Sequence, residues 1–137
     1  MTVKIKILII EDDAQVAMMM MRVLSQAGCD VLVAHTGKEG MRLAEERKFN
    51  LIALDIDLPD INGFEICTEL KQRHFSRNTP IIFISGRPLD EDIRHGLEIG
   101  AVDYITKPFG MLDFVQRILA HAKAKSGSGG TMQYAMP

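Results

Sequence analysis

Two hydrophobic patterns alternate regularly along the chain: short continuous apolar runs, and longer stretches with apolar residues at helical spacing. Five short apolar runs rich in branched residues are typical of buried β-strands. They are Ile5–Ile10, Val31–Ala34, Leu51–Leu54, Ile81–Ile84 and Val102–Thr106. Each run is followed by a stretch with apolar residues at helical spacing, such as Ala14, Ala17, Met21 and Leu24 after the first run. Strand and helix therefore alternate five times.

This alternation predicts an α/β fold with a doubly wound parallel sheet. Strands that are apolar almost throughout belong in a sheet covered on both faces, and right-handed crossovers place a helix on the sheet after each strand. Turn and cap residues agree with this interpretation: Gly28 follows the first helix, Thr36 precedes the second, Asn62 precedes the third and Gly100 follows the fourth.

The predicted domain covers nearly the whole chain. A length of 137 residues suits one domain. From Ser126 the sequence changes to serine and glycine and then loses all periodicity, which is typical of a linker. We therefore expect one domain over residues 3–125 and a flexible linker or tail over residues 126–137.

Charge and hydropathy exclude two classes of function. The chain has 16 Lys and Arg against 18 Asp and Glu, a formal charge of −2, so it has no cationic field to hold nucleic acid or an anionic membrane surface. No apolar run approaches the roughly 20 residues that span a bilayer, and the N-terminus has no signal-peptide pattern. We expect a cytoplasmic protein that binds neither nucleic acid nor membrane directly.

Cysteine and histidine positions give no sign of a zinc site. Cys29 and Cys67 lie far apart, with no CxxC pair and no nearby pair of histidines, so neither zinc nor a disulfide framework is indicated. The histidines are scattered, and we expect them to be solvent-exposed. They are His35, His74, His95 and His121.

Side chains with acid, hydroxyl or ammonium groups follow four of the five predicted strands. These residues are Glu11, Asp12 and Asp13 after the first strand, Asp55 after the third, Ser85 after the fourth and Lys107 after the fifth. The carboxyl ends of parallel strands meet at one edge of the sheet, and ligands bind there where the strand order reverses. We therefore expect these side chains to converge, whereas the residues after the second strand fall outside the set.

Converging carboxylates require a cation. Two unit charges about 4 Å apart repel by about 4 kcal/mol at an effective dielectric constant of about 20. Carboxylate oxygens with room for water suit Mg²⁺, which favours oxygen ligands and one or two protein carboxylates. A carboxylate beside Mg²⁺ and a lysine can also receive a phosphoryl group, because that transfer depends mainly on positioning and charge neutralisation.

The same residues resemble the receiver domain of two-component response regulators over about residues 3–124. The resemblance rests on four segments in the expected order: Ile7–Asp13, Leu54–Gly63, Phe83–Gly86 and Gly100–Phe109. It implies a flavodoxin-like fold with five strands in the order 2-1-3-4-5 and helices on both faces of the sheet.

The resemblance also implies roles for the acidic residues. Asp55 would be the phosphoacceptor that attacks the phosphohistidine of a partner kinase, and Asp12 would be a direct Mg²⁺ ligand. Glu11 would act on the metal largely through water, and Asp57 would contribute its backbone carbonyl. Receivers with this arrangement of acids generally use the first two, so Asp13 has no assigned role.

Further roles are implied for three other residues. Lys107 would pair with the phosphoryl group, with a cis peptide bond to Pro108. Ser85 would hydrogen-bond a phosphoryl oxygen, and Tyr104 would change rotamer when Ser85 is drawn inward. The protein would be a switch rather than a metabolic enzyme. Its partners would be a sensor histidine kinase or phosphotransfer protein, and a downstream protein or fused output domain.

Two alternatives remain open from the sequence. The segment Leu54–Asp57 also resembles the nucleophile motif of haloacid-dehalogenase-like phosphatases, with Asp55 as the nucleophile. The order of residues argues against it, because that family places its metal acids after the lysine, where this chain has only Asp113. The second alternative is a degenerate receiver that binds partners without phosphate, although neither the acceptor nor the lysine is missing.

Overall fold

A computed structural model describes residues 4–86 and 89–126 of the chain. Its elements in order are β1 (Lys6–Ile10), α1 (Ala14–Gln26), β2 (Asp30–Ala34), α2 (Gly37–Glu46), β3 (Leu51–Asp55), α3 (Gly63–Leu70), β4 (Ile81–Ser85), α4 (Asp90–Glu98), β5 (Asp103–Thr106) and α5 (Met111–Ser126). Apart from Ser126, the last residue of α5, the predicted linker or tail over residues 126–137 lies outside the described residues.

The strands form one parallel sheet in the order β2-β1-β3-β4-β5. This confirms the predicted fold class and strand order. β1 lies between β2 and β3, so the order reverses there and leaves a crevice beyond the ends of β1 and β3. In the register of the sheet, Asp55 lies opposite Ile84, and Ser85 lies opposite Thr106. The strand ends that carry the predicted site residues are therefore neighbours.

The core consists of one apolar layer on each face of the sheet. Because side chains alternate along a strand, Leu8 and Ile10 belong to one layer, and Ile7 and Ile9 belong to the other. The first layer includes buried residues of α2 and α3, whereas the second includes buried residues of α1 and α5. Within the described ranges, no helix is long and apolar enough to cross a bilayer.

The helices α2 and α3 begin at the predicted cap residues. The Thr36 hydroxyl accepts the N–H of Glu39, and the Asn62 side chain accepts the N–H of Phe64. Asp13, which has no assigned role in the site, caps α1 by accepting the N–H groups of Gln15 and Val16. Such a cap stabilises a helix by about 1 kcal/mol.

Candidate functional site

Three carboxylates meet at the carboxyl edge of the sheet, where β1 and β3 end. Glu11 and Asp55 are buried, with 1% and 5% of their surface exposed, whereas Asp12 is exposed. Each of the three offers an oxygen, and these oxygens lie within 4.8 Å of one another. The convergence expected for these acids is therefore present. The all-oxygen donor set, with one side open to solvent, fits Mg²⁺ rather than zinc.

Backbone contacts hold the two buried acids in place. The N–H of Glu11 donates to the Ala34 carbonyl at 2.9 Å, which extends the pairing of β1 with β2 beyond the strand. The N–H of Asp57 donates to Asp55 Oδ1 at 3.1 Å. At the start of α3, a Cβ on Gly63 would collide with the backbone of Asp55 and Ile56. Only glycine allows α3 to begin this close to the end of β3.

Lys107 lies between the two buried acids. Its Nζ is 2.8 Å from Glu11 Oε1 and 3.4 Å from Asp55 Oδ2. Burial acts to lower the pKa of Lys107, but the two carboxylates outweigh burial, so that this pKa is raised and the ammonium form is retained. The peptide bond between Lys107 and Pro108 is cis, as the resemblance implies.

The carboxyl group of Glu11 has a perturbed pKa. Burial raises the pKa of Glu11 from 4.5 to about 7, and the Asp55 carboxylate adds to the rise, while Lys107 opposes it. A divalent cation at the cluster would favour the ionised form of Glu11.

The other predicted site residues differ in how close they lie to this cluster. Ser85 ends β4 and is fully buried, and its carbonyl accepts the N–H of Lys107 at 2.8 Å. Asp57 is exposed and lies outside the cluster of three carboxylates. The role of its backbone carbonyl as a metal ligand stays a prediction.

Tyr104 lies in β5, which β4 separates from β3 and its Asp55, and is 6% exposed. Its ring centroid is 6.1 Å from that of Phe83, its neighbour in β4. Above both rings, a Cβ on Gly96 of α4 would lie 2.9 Å from Phe83 and 3.5 Å from Tyr104. α4 therefore packs directly on these two aromatic rings.

An ionic network on β5 and α5 was not expected from the sequence. Arg117 binds both oxygens of Asp103, at 2.6 and 3.0 Å, and His121 Nε2 lies 3.3 Å from Asp103 Oδ2. The expectation of an exposed His121 is therefore wrong, because its side chain is only 22% exposed and faces this carboxylate. Burial acts to raise the pKa of Asp103, but the hydrogen bonds from His121 and Arg117 outweigh burial and hold this pKa well below its usual range.

Comparison with known proteins agrees with this geometry. A sequence model described as the response regulator receiver domain matches residues 7–119. The response regulator ArlR of Staphylococcus saprophyticus is 40% identical over 115 residues, which cover 84% of this chain and 51% of ArlR. The PhoP regulator of alkaline phosphatase synthesis in Bacillus subtilis is 36% identical, with 84% of this chain and 47% of PhoP covered. The chain thus spans about half the length of these curated relatives.

Solved structures give the same result. A CheY-like receiver domain protein from Methanospirillum hungatei superposes with a TM-score of 0.86 at 28% identity, covering 93% of this chain and all of the other. The receiver domain of the sensor histidine kinase PA1611 from Pseudomonas aeruginosa, which has a magnesium ion in its active-site cleft, gives a TM-score of 0.81 at 25% identity, covering 88% of this chain and 99% of the other. The chain belongs to the response regulator receiver family.

Proposed function

We propose that this domain accepts a phosphoryl group on Asp55 in the presence of Mg²⁺ and thereby changes its affinity for a partner. The observation that carries the proposal is the cluster of Glu11, Asp12 and Asp55. The Lys107 ammonium group forms ion pairs with two of these acids, Glu11 and Asp55. This arrangement provides a nucleophilic oxygen, a set of metal ligands and a fixed positive charge at one edge of the sheet.

The proposed chemical step is a displacement at phosphorus. An Asp55 oxygen attacks the phosphorus of a phosphohistidine on a sensor histidine kinase or phosphotransfer protein. The phosphorus–nitrogen bond breaks, its electron pair returns to the imidazole, and an acyl phosphate forms on Asp55. Slow attack by water later releases inorganic phosphate and restores the carboxylate, so the reaction sets a reversible state rather than turning over a metabolite.

Each surrounding group has a proposed part in this step. Glu11, Asp12, Asp55 and the backbone carbonyl of Asp57 would hold Mg²⁺, which when bound offsets negative charge on the carboxylates and the phosphoryl oxygens. The magnesium ion in the PA1611 receiver supports this assignment. Lys107 would move from its present carboxylate partners to a phosphoryl oxygen, which places positive charge where the transfer needs it.

The proposed response is a change in the surface around Tyr104. The Ser85 hydroxyl would donate a hydrogen bond to a phosphoryl oxygen, and the Tyr104 ring would then change rotamer. A coupling free energy of about 1 to 3 kcal/mol would change partner affinity several-fold or more. Relatives named as transcriptional regulators, of which this chain spans about half, support a downstream protein or a fused output region as the partner.

We propose that the receiver domain covers residues 3–125.

The test is labelling by acetyl phosphate, followed by intact mass spectrometry. We expect one phosphoryl group per chain with Mg²⁺. We expect only background labelling when a chelator removes the metal before the donor is added, because the uncompensated carboxylates repel the donor. Continuous release of product from a generic phosphomonoester would instead support a haloacid-dehalogenase-like phosphatase. Absence of labelling under all conditions would support a phosphate-independent binding module.

A further inference from the structure

The loop between β3 and α3 is anchored to a helix that carries none of the predicted site residues. In this loop, Asp60 Oδ1 accepts the N–H of Gly37 at 2.8 Å, and Asp60 Oδ2 accepts the N–H of Lys38 at 2.9 Å. The two donors are the first residues of α2. One carboxylate therefore joins the loop that follows Asp55 to the N-terminus of α2.

This contact completes the hydrogen bonding of the first turn of α2. The first N–H groups of a helix have no acceptor within the helix. Among the first three residues of α2, which are Gly37, Lys38 and Glu39, the Thr36 hydroxyl accepts the N–H of Glu39. Asp60 serves the remaining two. Burial alone would raise the pKa of Asp60, but these N–H groups outweigh burial and lower the pKa, so the carboxylate stays ionised at the positive end of the helix dipole.

The approach of the loop to α2 depends on the residue at position 37. A Cβ on Gly37 would lie 2.8 Å from Ile66 Cδ1 and 3.1 Å from Asp60 Oδ1. Both contacts are shorter than ordinary packing distances, so a side chain at this position would require the side chains of Ile66 and Asp60 to shift. The absence of a side chain at Gly37 leaves the room that the Asp60 contact requires.

The other end of the loop is closed by its own backbone. Asp57 and Asn62 form an antiparallel bridge, and the N–H of Gly63 donates to the Ile56 carbonyl at 2.8 Å. The N–H of Asp57 reaches back to the Asp55 carboxylate at 3.1 Å. A loop closed at its base and anchored at Asp60 leaves the Asp57 peptide little freedom relative to Asp55.

The segment before α2 also contacts the loop that carries the other acids. His35 Nδ1 lies 3.1 Å from the Glu11 carbonyl oxygen. The short segment His35–Lys38 therefore contacts the loop after β1 through His35 and the loop after β3 through Asp60. It thus connects the two loops that carry the cluster.

We infer that Asp60 is a positioning residue for the divalent-cation site: by anchoring the β3–α3 loop to α2, it fixes the Asp57 backbone relative to Asp12 and Asp55. Asp60 contributes no ligand of its own. The inference rests on the proposed function, because it requires a cation at the cluster of Glu11, Asp12 and Asp55.

The test compares variants in the unphosphorylated protein by titration calorimetry with Mg²⁺. Asp60→Ala removes both acceptor oxygens, whereas Asp60→Asn keeps one. Thr36→Ala is the control for loss of an α2 cap, because it removes a cap of the same helix without touching the β3–α3 loop. Glu39→Gln is the control for charge, because it removes one negative charge from the same turn of α2.

We expect Asp60→Ala to weaken Mg²⁺ binding about tenfold, which is typical for residues that hold metal ligands in place. The Mg²⁺ affinity of Asp60→Asn should lie between those of Asp60→Ala and the wild type. If Asp60→Ala does not fold, Asp60→Asn is compared with the wild type and the controls instead. Both controls should stay within about twofold of the wild type. In the metal-free protein, hydrogen exchange of residues 56–62 should be faster in Asp60→Ala than in Thr36→Ala.

Each other outcome has a defined meaning. If the wild type binds Mg²⁺ and Asp60→Ala binds it equally well, or if Thr36→Ala or Glu39→Gln loses as much affinity, the positioning role is wrong and the proposed function stands. Unchanged hydrogen exchange in the loop would also overturn the inference. If the wild type itself does not bind Mg²⁺, the proposed function fails, and the inference fails with it.

Discussion

Asp55→Asn should reduce Mg²⁺-dependent labelling by acetyl phosphate to below about 1% of the wild-type level. The amide has no anionic oxygen to attack phosphorus, and no other acid of the cluster occupies the end of β3. The substitution nearly conserves shape, so the buried position of residue 55, which is 5% exposed in the wild type, is retained. Intact mass spectrometry after a fixed labelling time gives the comparison directly.

Asp13→Asn is the matched control for this loss. It makes the same chemical change two residues beyond the buried Glu11, yet asparagine is as good a helix cap as aspartate, so α1 keeps its N-terminal hydrogen bonds. We expect labelling close to that of the wild type. Strong incorporation into Asp55→Asn would show that another residue is the acceptor, and equal losses in both variants would point to a general charge effect.

The stability of the metal-free protein should fall as the pH rises from about 5 to 8. The folded state raises the pKa of Glu11 from 4.5 to about 7, so the protonated form is favoured by folding. The associated stabilisation is fully present below about pH 4.5 and is lost as the pH rises through about 7. A shift of this size corresponds to roughly 3 kcal/mol of unfolding free energy.

Glu11→Gln tests this prediction, because glutamine resembles the protonated acid at every pH. In urea titrations with a chelator present, we expect the variant to gain stability relative to the wild type as the pH rises from 5 to 8. Saturating Mg²⁺ should reduce this difference, because it favours the ionised carboxylate in the wild type. A stability difference that does not change with pH would contradict the assignment of the raised pKa to Glu11.

The strand-end acids could be predicted because a parallel sheet brings them together by topology alone. The convergence of Glu11, Asp12 and Asp55 follows from the parallel sheet and from the strand order that the resemblance to receiver domains implies, without any knowledge of side-chain packing. Lys107 follows by the same argument from the end of β5. Only the burial of Glu11, and with it the raised pKa, required the structure.

Other contacts could not be predicted, because they depend on how separate elements approach one another. The Asp60 contact joins residues 22 and 23 positions apart in the chain and needs the space left by Gly37. His121 was expected to be exposed, but one turn separates it from Arg117 on α5, and the packing of α5 brings both side chains to Asp103. No periodicity along the chain encodes that pairing.

A crystal structure with Mg²⁺ and beryllium fluoride would show whether Asp55 is the phosphoacceptor, because this compound imitates a phosphoryl group on a carboxylate. We expect beryllium bonded to an Asp55 oxygen, Mg²⁺ about 2.1 Å from an Asp12 oxygen, and Lys107 turned from Glu11 to a fluoride. Beryllium fluoride bound to a different residue, or Mg²⁺ bound away from Asp12 and Asp55, would contradict the proposed phosphorylation of Asp55.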